Sequence, residues 1–306
     1  MHRTFFNEPL AADVIQAAEA DPSSRSPRTQ TRVRGGLNGT GARWLLIPPA
    51  VFLLLALGAP IVYLMILGFQ NDGFGAALDD TVFVDSIART FLLAAVVTVF
   101  AVALGTIYAI GLAVAPKWVA VVMLVCLFTL FWTSLLVRTY GWLLLYLPQG
   151  ALYEALHAVG LRDEPLDIFQ KPFAAYPAMV HVMLPYVVLP VYASLRQVEP
   201  DQIRAARVLG ARPLRILGRV LLPQMRSGII AAAVLVFIIS LGFFVTPSLL
   251  SGPTNPTVAS VIAGQFNLPD SASIAAAMSI LLLGVIFVFY FVADRLFKIS
   301  EQWEAP

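Results

Sequence analysis

Charge is scarce in this sequence of 306 residues: Asp, Glu, Lys and Arg make up 12% of it, hydrophobic residues 59%, and the mean hydropathy is +0.81. A soluble domain carries about 25% charged residues. Half that share cannot cover a water-facing surface of this size, so a soluble globular enzyme is excluded. The one cysteine, Cys126, sits inside an apolar run and excludes a disulfide framework. His2, His157 and His181 are too far apart to suggest a zinc site. A net charge of +2 is too small to argue for nucleic acid. There is no phosphate-binding glycine loop ending in Lys and Ser/Thr, and no acidic pair on an apolar segment. With no catalytic group in view, the chain is not expected to be an enzyme.

Long apolar runs are what the sequence has instead. A helical crossing needs about 20 mostly apolar residues. Six stretches qualify: 44–69, 87–114, 118–147, 173–195, 229–250 and 273–297. Outer-membrane strands would alternate in segments of about ten residues. The expected fold class is therefore all-α, a polytopic membrane protein with six transmembrane helices. Basic residues mark the cytoplasmic side. Sixteen of the 20 fall in the leader before the first run, at Lys117, in the loop between the fourth and fifth runs, and in the tail. Asp72, Asp79, Asp80, Asp85, Glu154, Asp163, Glu164 and Asp167 occupy the other side. Both termini are thus expected in the cytoplasm. The domain reading is a basic, disordered leader over 1–43, a six-span domain over 44–297 that includes a cytoplasmic loop at 196–227, and a cytoplasmic tail over 298–306. The first run is too long for a signal-peptide core and reads as an uncleaved span.

The loop at 196–227 carries the most information. Glu199-Pro200-Asp201 opens a helix, with proline early and acids near the N-terminus, both favourable there. The helix runs through Arg204, Ala205, Ala206 and Arg207 and stops at Gly210, a residue able to take the left-handed conformation. Pro213 starts a second helix, on which Leu214, Leu217 and Leu221 share one face and Arg212, Arg215 and Arg219 another. Pro223 is expected to end it before the fifth span. Such a helix–glycine–helix elbow suits docking into a groove on a partner, or equally lying on lipid phosphates.

Ala205-Ala206, Gly210-Ala211, Val220, Leu222 and Pro223 resemble the "EAA" loop of ABC importer permeases: Glu-Ala-Ala, three residues, Gly, nine residues, a β-branched aliphatic, any residue, Leu-Pro. One position departs, because the family's glutamate falls on Arg204. Either the partner carries a compensating acid, or Arg204 turns to lipid and Arg207 or Asp201 takes over. Other segments resemble the first-type permeases of spermidine/putrescine importers: Phe131-Trp132-Thr133-Ser134 through Trp142, Leu184-Pro185-Tyr186 through Leu195, and Phe244-Val245-Thr246-Pro247 through Pro253. The resemblance implies a type I importer permease fold in a bacterial inner membrane. It also implies a pair of ATP-binding subunits, a second permease chain and an external solute-binding protein as partners, with membrane lipid around them. ATP and magnesium would sit on the partner, leaving this chain without a cofactor. Arg204, Ala205, Ala206, Gly210, Ala211, Pro213, Leu214, Leu217, Val220, Leu222 and Pro223 become the coupling loop.

Ionisable groups inside a span are functional candidates by default. Arg138 is the clearest, with snorkelling or an ion pair to a loop acid as its structural alternative. No carboxylate lies deep in any span, so a polyamine would rely on aromatic faces, each worth about 0.5–2 kcal/mol to a cation. Trp132, Tyr140, Phe243 and Phe244 join Arg138 as candidates for the path. His181 reads as a helix–helix hydrogen-bonding residue. The solute is expected to be a polyamine, or another amine or amino-acid-like molecule such as γ-aminobutyrate. A non-transporting scaffold that binds anionic lipid would explain the arginines but not the Gly210-to-Pro223 spacing.

Overall fold

The computed structural model of the chain describes residues 39–161 and 163–297, and every regular element among them is helical. The leader up to residue 38 and the tail 298–306 lie outside the described residues. The chain divides into two units, Met1–Ala56 and Leu57–Pro306. The described part of the first is helix only. It is the opening of α1, Gly39–Gly68, which starts five residues ahead of the expected 44.

In the second unit, α2 (Gly73–Asp79) leads into α3 (Thr81–Val114). Asp80 caps α3, its Oδ1 accepting from Val82 N at 2.8 Å and Phe83 N at 3.1 Å. That cap satisfies orphan donors and starts the helix six residues before the expected 87. After a 3-10 turn at Pro172–Ala174, α7 (Ala175–Leu195) follows the expected fourth run and tolerates Pro185 and Pro190 in its interior. Proline is accommodated in spans where neighbouring helices take up the freed carbonyls. The last helix, α12 (Ala272–Phe297), matches its expected run to one residue.

Two expected spans do not form as single straight helices. The third, 118–147, is a bent pair: α4 (Lys117–Trp132) and α5 (Leu135–Tyr146) meet at 102°. Thr133 and Ser134 between them are extended. The hydroxyls of Thr129 and Thr133 donate to carbonyls one turn back, at 2.8 and 2.7 Å, a local competition with the helical ladder that bends helices. The fifth, 229–250, breaks at Gly242–Phe244, leaving α10 (Val245–Leu250) as a separate short helix. Its other end corrects a second expectation: Pro223 does not end the loop's second helix. That helix runs on as α9, Pro213–Leu241, through a π-helical turn at Leu217–Leu221. In a regular helix the Pro223 ring would strike the carbonyl of Arg219 and leave it unbonded. One wider turn just before the proline absorbs both faults. Among the described residues five helices are thus long and apolar enough to cross a membrane, or six if the bent pair counts as one.

The remaining α-helices described are α6 (Ala151–Ala158), α8 (Pro200–Val208) and α11 (Val258–Phe266). The core lies where α3, α7 and α9 pack together. Val97, Ala101, Met179, Met183, Val187, Val188, Val191, Met225, Ala232 and Val236 are fully buried there. Lipid tails are as apolar as these side chains, so close packing rather than hydrophobicity holds spans together. Gly105 shows how close: a Cβ at that position would come within 2.6 Å of Val187 Cγ1. Gly228 does the same for α9, where a Cβ would meet the carbonyl oxygen of Pro190 at 2.8 Å.

Candidate functional site

The loop forms the expected elbow. Pro200 sits in the first turn of α8 and Asp201 beside it. At the far end Gly210 has φ +74°, with Gly210 N donating to Arg207 O at 2.9 Å and Ala211 N to Ala206 O at 3.0 Å. These are the paired bonds of a Schellman ending, which needs a residue in the left-handed region. Gln224 Nε2 on α9 donates to Gln202 Oε1 on α8 at 2.7 Å and ties the two arms. Val208, Leu209 and Leu214 stand 87%, 86% and 82% exposed around the turn. Ile216 is buried, while Leu217, Val220 and Leu221 are half-buried, because the π turn rotates the stripe away from the outer face. Ala206 and Ala211 are half-buried; Ala205, Pro213 and Pro223 are exposed, and Leu222 borders on it. Arg204 finds a partner on its own helix, Asp201 at 3.2 Å. Both side chains are largely exposed, so the pair adds little stability.

The second grouping surrounds the bend. The inner face of α5 carries Thr139, Trp142 and Tyr146, with Arg138 at its edge. Trp142 Nε1 donates to His181 Nδ1 at 3.2 Å, so His181 does bond between helices, and its neutral ring keeps the proton on Nε2. Thr139 Oγ1 and Thr246 Oγ1, both buried, lie 3.1 Å apart and join α5 to α10. Phe131 meets Tyr186 edge-on at 5.6 Å. Arg138 is within electrostatic reach of Tyr186 and His181, and its buried Nε has no hydrogen-bond partner. Of the expected path residues, Trp132 and Tyr140 point outward, 88% and 52% exposed; Phe244 is 42% exposed and Phe243 half-buried against the core. Thr139, Trp142, His181 and Tyr186 are the companions of Arg138 that the sequence reading did not group with it. Spacing of three and four along α5 could have found Trp142; the other helices' contributions carry no local signal.

A helical membrane component of the ABC importer permease fold is what this arrangement defines. One chain of the solved bacterial ABC transporter that imports the acidic polysaccharide alginate superposes with a TM-score of 0.70 at 18% identity, covering 84% of this chain and 94% of that one. A chain of the inward-facing methionine transporter MetNI superposes at 0.54 and 17% identity, over 71% and 95%. The family described as "Binding-protein-dependent transport system inner membrane component" matches residues 101–303, and the chain belongs to it. Among curated relatives, the spermidine/putrescine transport system permease protein PotB of Escherichia coli (strain K12) is 32% identical over 240 residues, which is 77% of this chain and 86% of that protein. PotB of Salmonella typhimurium (strain LT2) is 31% identical over 239 residues, 76% and 83%. The inner membrane ABC transporter permease protein YdcU of Escherichia coli is 28% identical over 178 residues, 54% and 56%. The chain is accordingly an ABC transporter permease and a multi-pass protein of the inner membrane.

Proposed function

We propose that the chain is the translocating subunit of an ATP-driven importer for a polyamine, spermidine or putrescine. In this reading it has six spans, the bent pair counting as one, with both termini in the cytoplasm. An external binding protein delivers the solute, a second permease chain completes the path, and a pair of ATP-binding subunits holds ATP and magnesium. The observation that carries the reading is the elbow. Three apolar side chains exposed beyond 80%, Val208, Leu209 and Leu214, flank a rigid Schellman turn on the basic loop. An apolar tip held by a capped helix is suited to a groove on a protein. Leu214→Asp places a charge in that groove and should reduce co-purification of the ATP-binding subunit about tenfold or more while membrane insertion is unchanged. The substrate test is uptake of labelled putrescine, spermidine and γ-aminobutyrate in cells lacking the chain, with and without its restoration.

A second reading of the solute has its own support. No Asp or Glu occurs in 86–153, 168–198, 202–269 or 271–293, whereas Arg138 sits at the bend with a bare Nε. A zwitterion such as γ-aminobutyrate would satisfy that guanidinium through its carboxylate. Uptake of γ-aminobutyrate alone would select this solute, and uptake of putrescine or spermidine would select the first.

A further inference from the structure

The apolar tip of the elbow leaves most of the loop's arginines unused. Residues 196–227 carry seven arginines against two acids, Glu199 and Asp201. Arg204 with Asp201 is the one ion pair in that stretch among the described residues. At the base of the elbow a cavity of about 500 Å³ opens between the end of α7 and the Pro223–Arg226 turn of α9. Gln197, Gln224 and Arg226 line it, with the buried Ser194 behind them. On the side of the spans the two helices touch: a Cβ on Gly228 would strike Ser194 and stand 2.8 Å from the carbonyl oxygen of Pro190. The cavity lies on the loop side of that contact.

Its level in the membrane follows from the sequence. Arg196 directly follows the apolar run 173–195, and Arg226 stands three residues before the run 229–250. The cavity thus borders the ends of two spans, where the lipid phosphates lie. Arg226 is exposed and pairs with no acid among the described residues. Its guanidinium can hold a phosphate through two parallel N–H bonds. The exposed Gln197 carboxamide has no partner among the described residues and brings two further N–H donors. Gln224 offers the opposite. Its Nε2 donates both protons, to Gln202 Oε1 at 2.7 Å and to Val220 O at 3.0 Å. Only Oε1, an acceptor, is left for a ligand.

We infer that this cavity holds the headgroup of an anionic phospholipid bearing hydroxyls, phosphatidylglycerol. The phosphate takes Arg226 and Gln197, and a headgroup hydroxyl donates to Gln224 Oε1. The surplus of arginines around the cavity attracts anionic lipid and repels the ammonium of a zwitterionic headgroup. The inference goes beyond the importer reading and stands without it, whatever solute is moved.

The test is native mass spectrometry of the full chain released from nanodiscs of phosphatidylglycerol and phosphatidylethanolamine in equal parts. The chain should retain phosphatidylglycerol about tenfold better, and Arg226→Gln should remove about that factor, the scale of one charge-assisted bond. Arg215→Gln removes the same charge from the same helix. It lies roughly 16 Å away at 1.5 Å per residue, beyond the Debye length of about 8 Å, and should lower retention by no more than about twofold. Phosphatidylmethanol keeps the phosphate and lacks the hydroxyls, so it should be retained a few-fold less well than phosphatidylglycerol. Gln224→Ala should erase that difference, whereas Gln202→Ala, which breaks only the tie to α8, should keep it. Equal losses in Arg215→Gln and Arg226→Gln would mean diffuse attraction to the whole loop and overturn the inference. Equal retention of phosphatidylethanolamine overturns it as well. So does inorganic phosphate that binds, by phosphorus NMR, with the Arg226 dependence while phosphatidylglycerol is not retained, which assigns the cavity to a free anion. Loss of the co-purifying ATP-binding subunit in Arg226→Gln, with lipid retention unchanged, assigns it to an acidic side chain of that partner and also overturns it. Should Arg226→Gln not insert, Gln224→Ala decides alone: an unchanged preference for phosphatidylglycerol over phosphatidylmethanol refutes the site.

Discussion

Replacing Gly210 tests the elbow most directly, because the structure isolates a single cause. The residue has φ +74°, and a Cβ built there would meet nothing within 4 Å. Any penalty in Gly210→Ala is therefore backbone strain. The left-handed region costs a non-glycine residue about 1–2 kcal/mol, enough to shift the turn's equilibrium roughly 5- to 30-fold toward other geometries. Asparagine tolerates that region better, so Gly210→Asn should lose less. Gly210→Pro loses more: its φ is held near −65°, and the N–H that donates to Arg207 O at 2.9 Å is gone. Together these approach about 3 kcal/mol or more. The turn lies outside the apolar runs 173–195 and 229–250, so insertion and expression should be unaffected. The measurement is solute uptake per ATP hydrolysed by the reconstituted complex, and the expected order is Gly, Asn, Ala, Pro from best to worst. Wild-type coupling in a normally inserted Gly210→Pro variant would refute the argument. So would equal coupling in the Asn and Ala variants, since strain is then not the cause.

Two further outcomes test the membrane part. Gly105→Val pushes α3 and α7 apart where a Cβ would already stand 2.6 Å from Val187 Cγ1; overpacking should cost about 1–3 kcal/mol, read as a lower melting temperature in detergent, and Val187→Ala should restore part of it. Trp142→Phe removes the donor to His181 Nδ1, and a double-mutant cycle with His181→Phe should give a coupling energy of about 0.6 kcal/mol, the average for such bonds between spans; a value near zero would mean that the 3.2 Å contact is incidental.

Much of the site was legible because it is local. Helix α8 starts at Pro200 and stops short of Gly210 for reasons contained in a dozen residues: proline early, an acid in the first turn, and one residue able to turn left-handed. Leu214 stands exposed beside the turn. Leu217 and Leu221 did not keep to the same stripe, because the π turn at Leu217–Leu221 adds a residue to the period. Pro223 misled for a related reason. Read alone it is a helix breaker, yet one widened turn lets the helix continue to Leu241. The partners that other helices bring to this group had no local signal at all, since Thr246 is 107 residues from Thr139 and His181 is 39 from Trp142.

By itself, the sequence determined that the protein is helical and belongs in a membrane, and where its long apolar helices lie. Apolarity adds up along a continuous run, and in lipid a run of about 20 such residues must hydrogen-bond to itself. The sequence also determined the elbow, whose bonds close within one turn. Only the tertiary structure decided that the third run bends by 102°, that the fifth breaks at Gly242, and which helices meet around Arg138 and Arg226. In those places the local ladder competes with hydroxyl bonds and with packing against helices distant in the chain, and the outcome depends on partners that no local window contains.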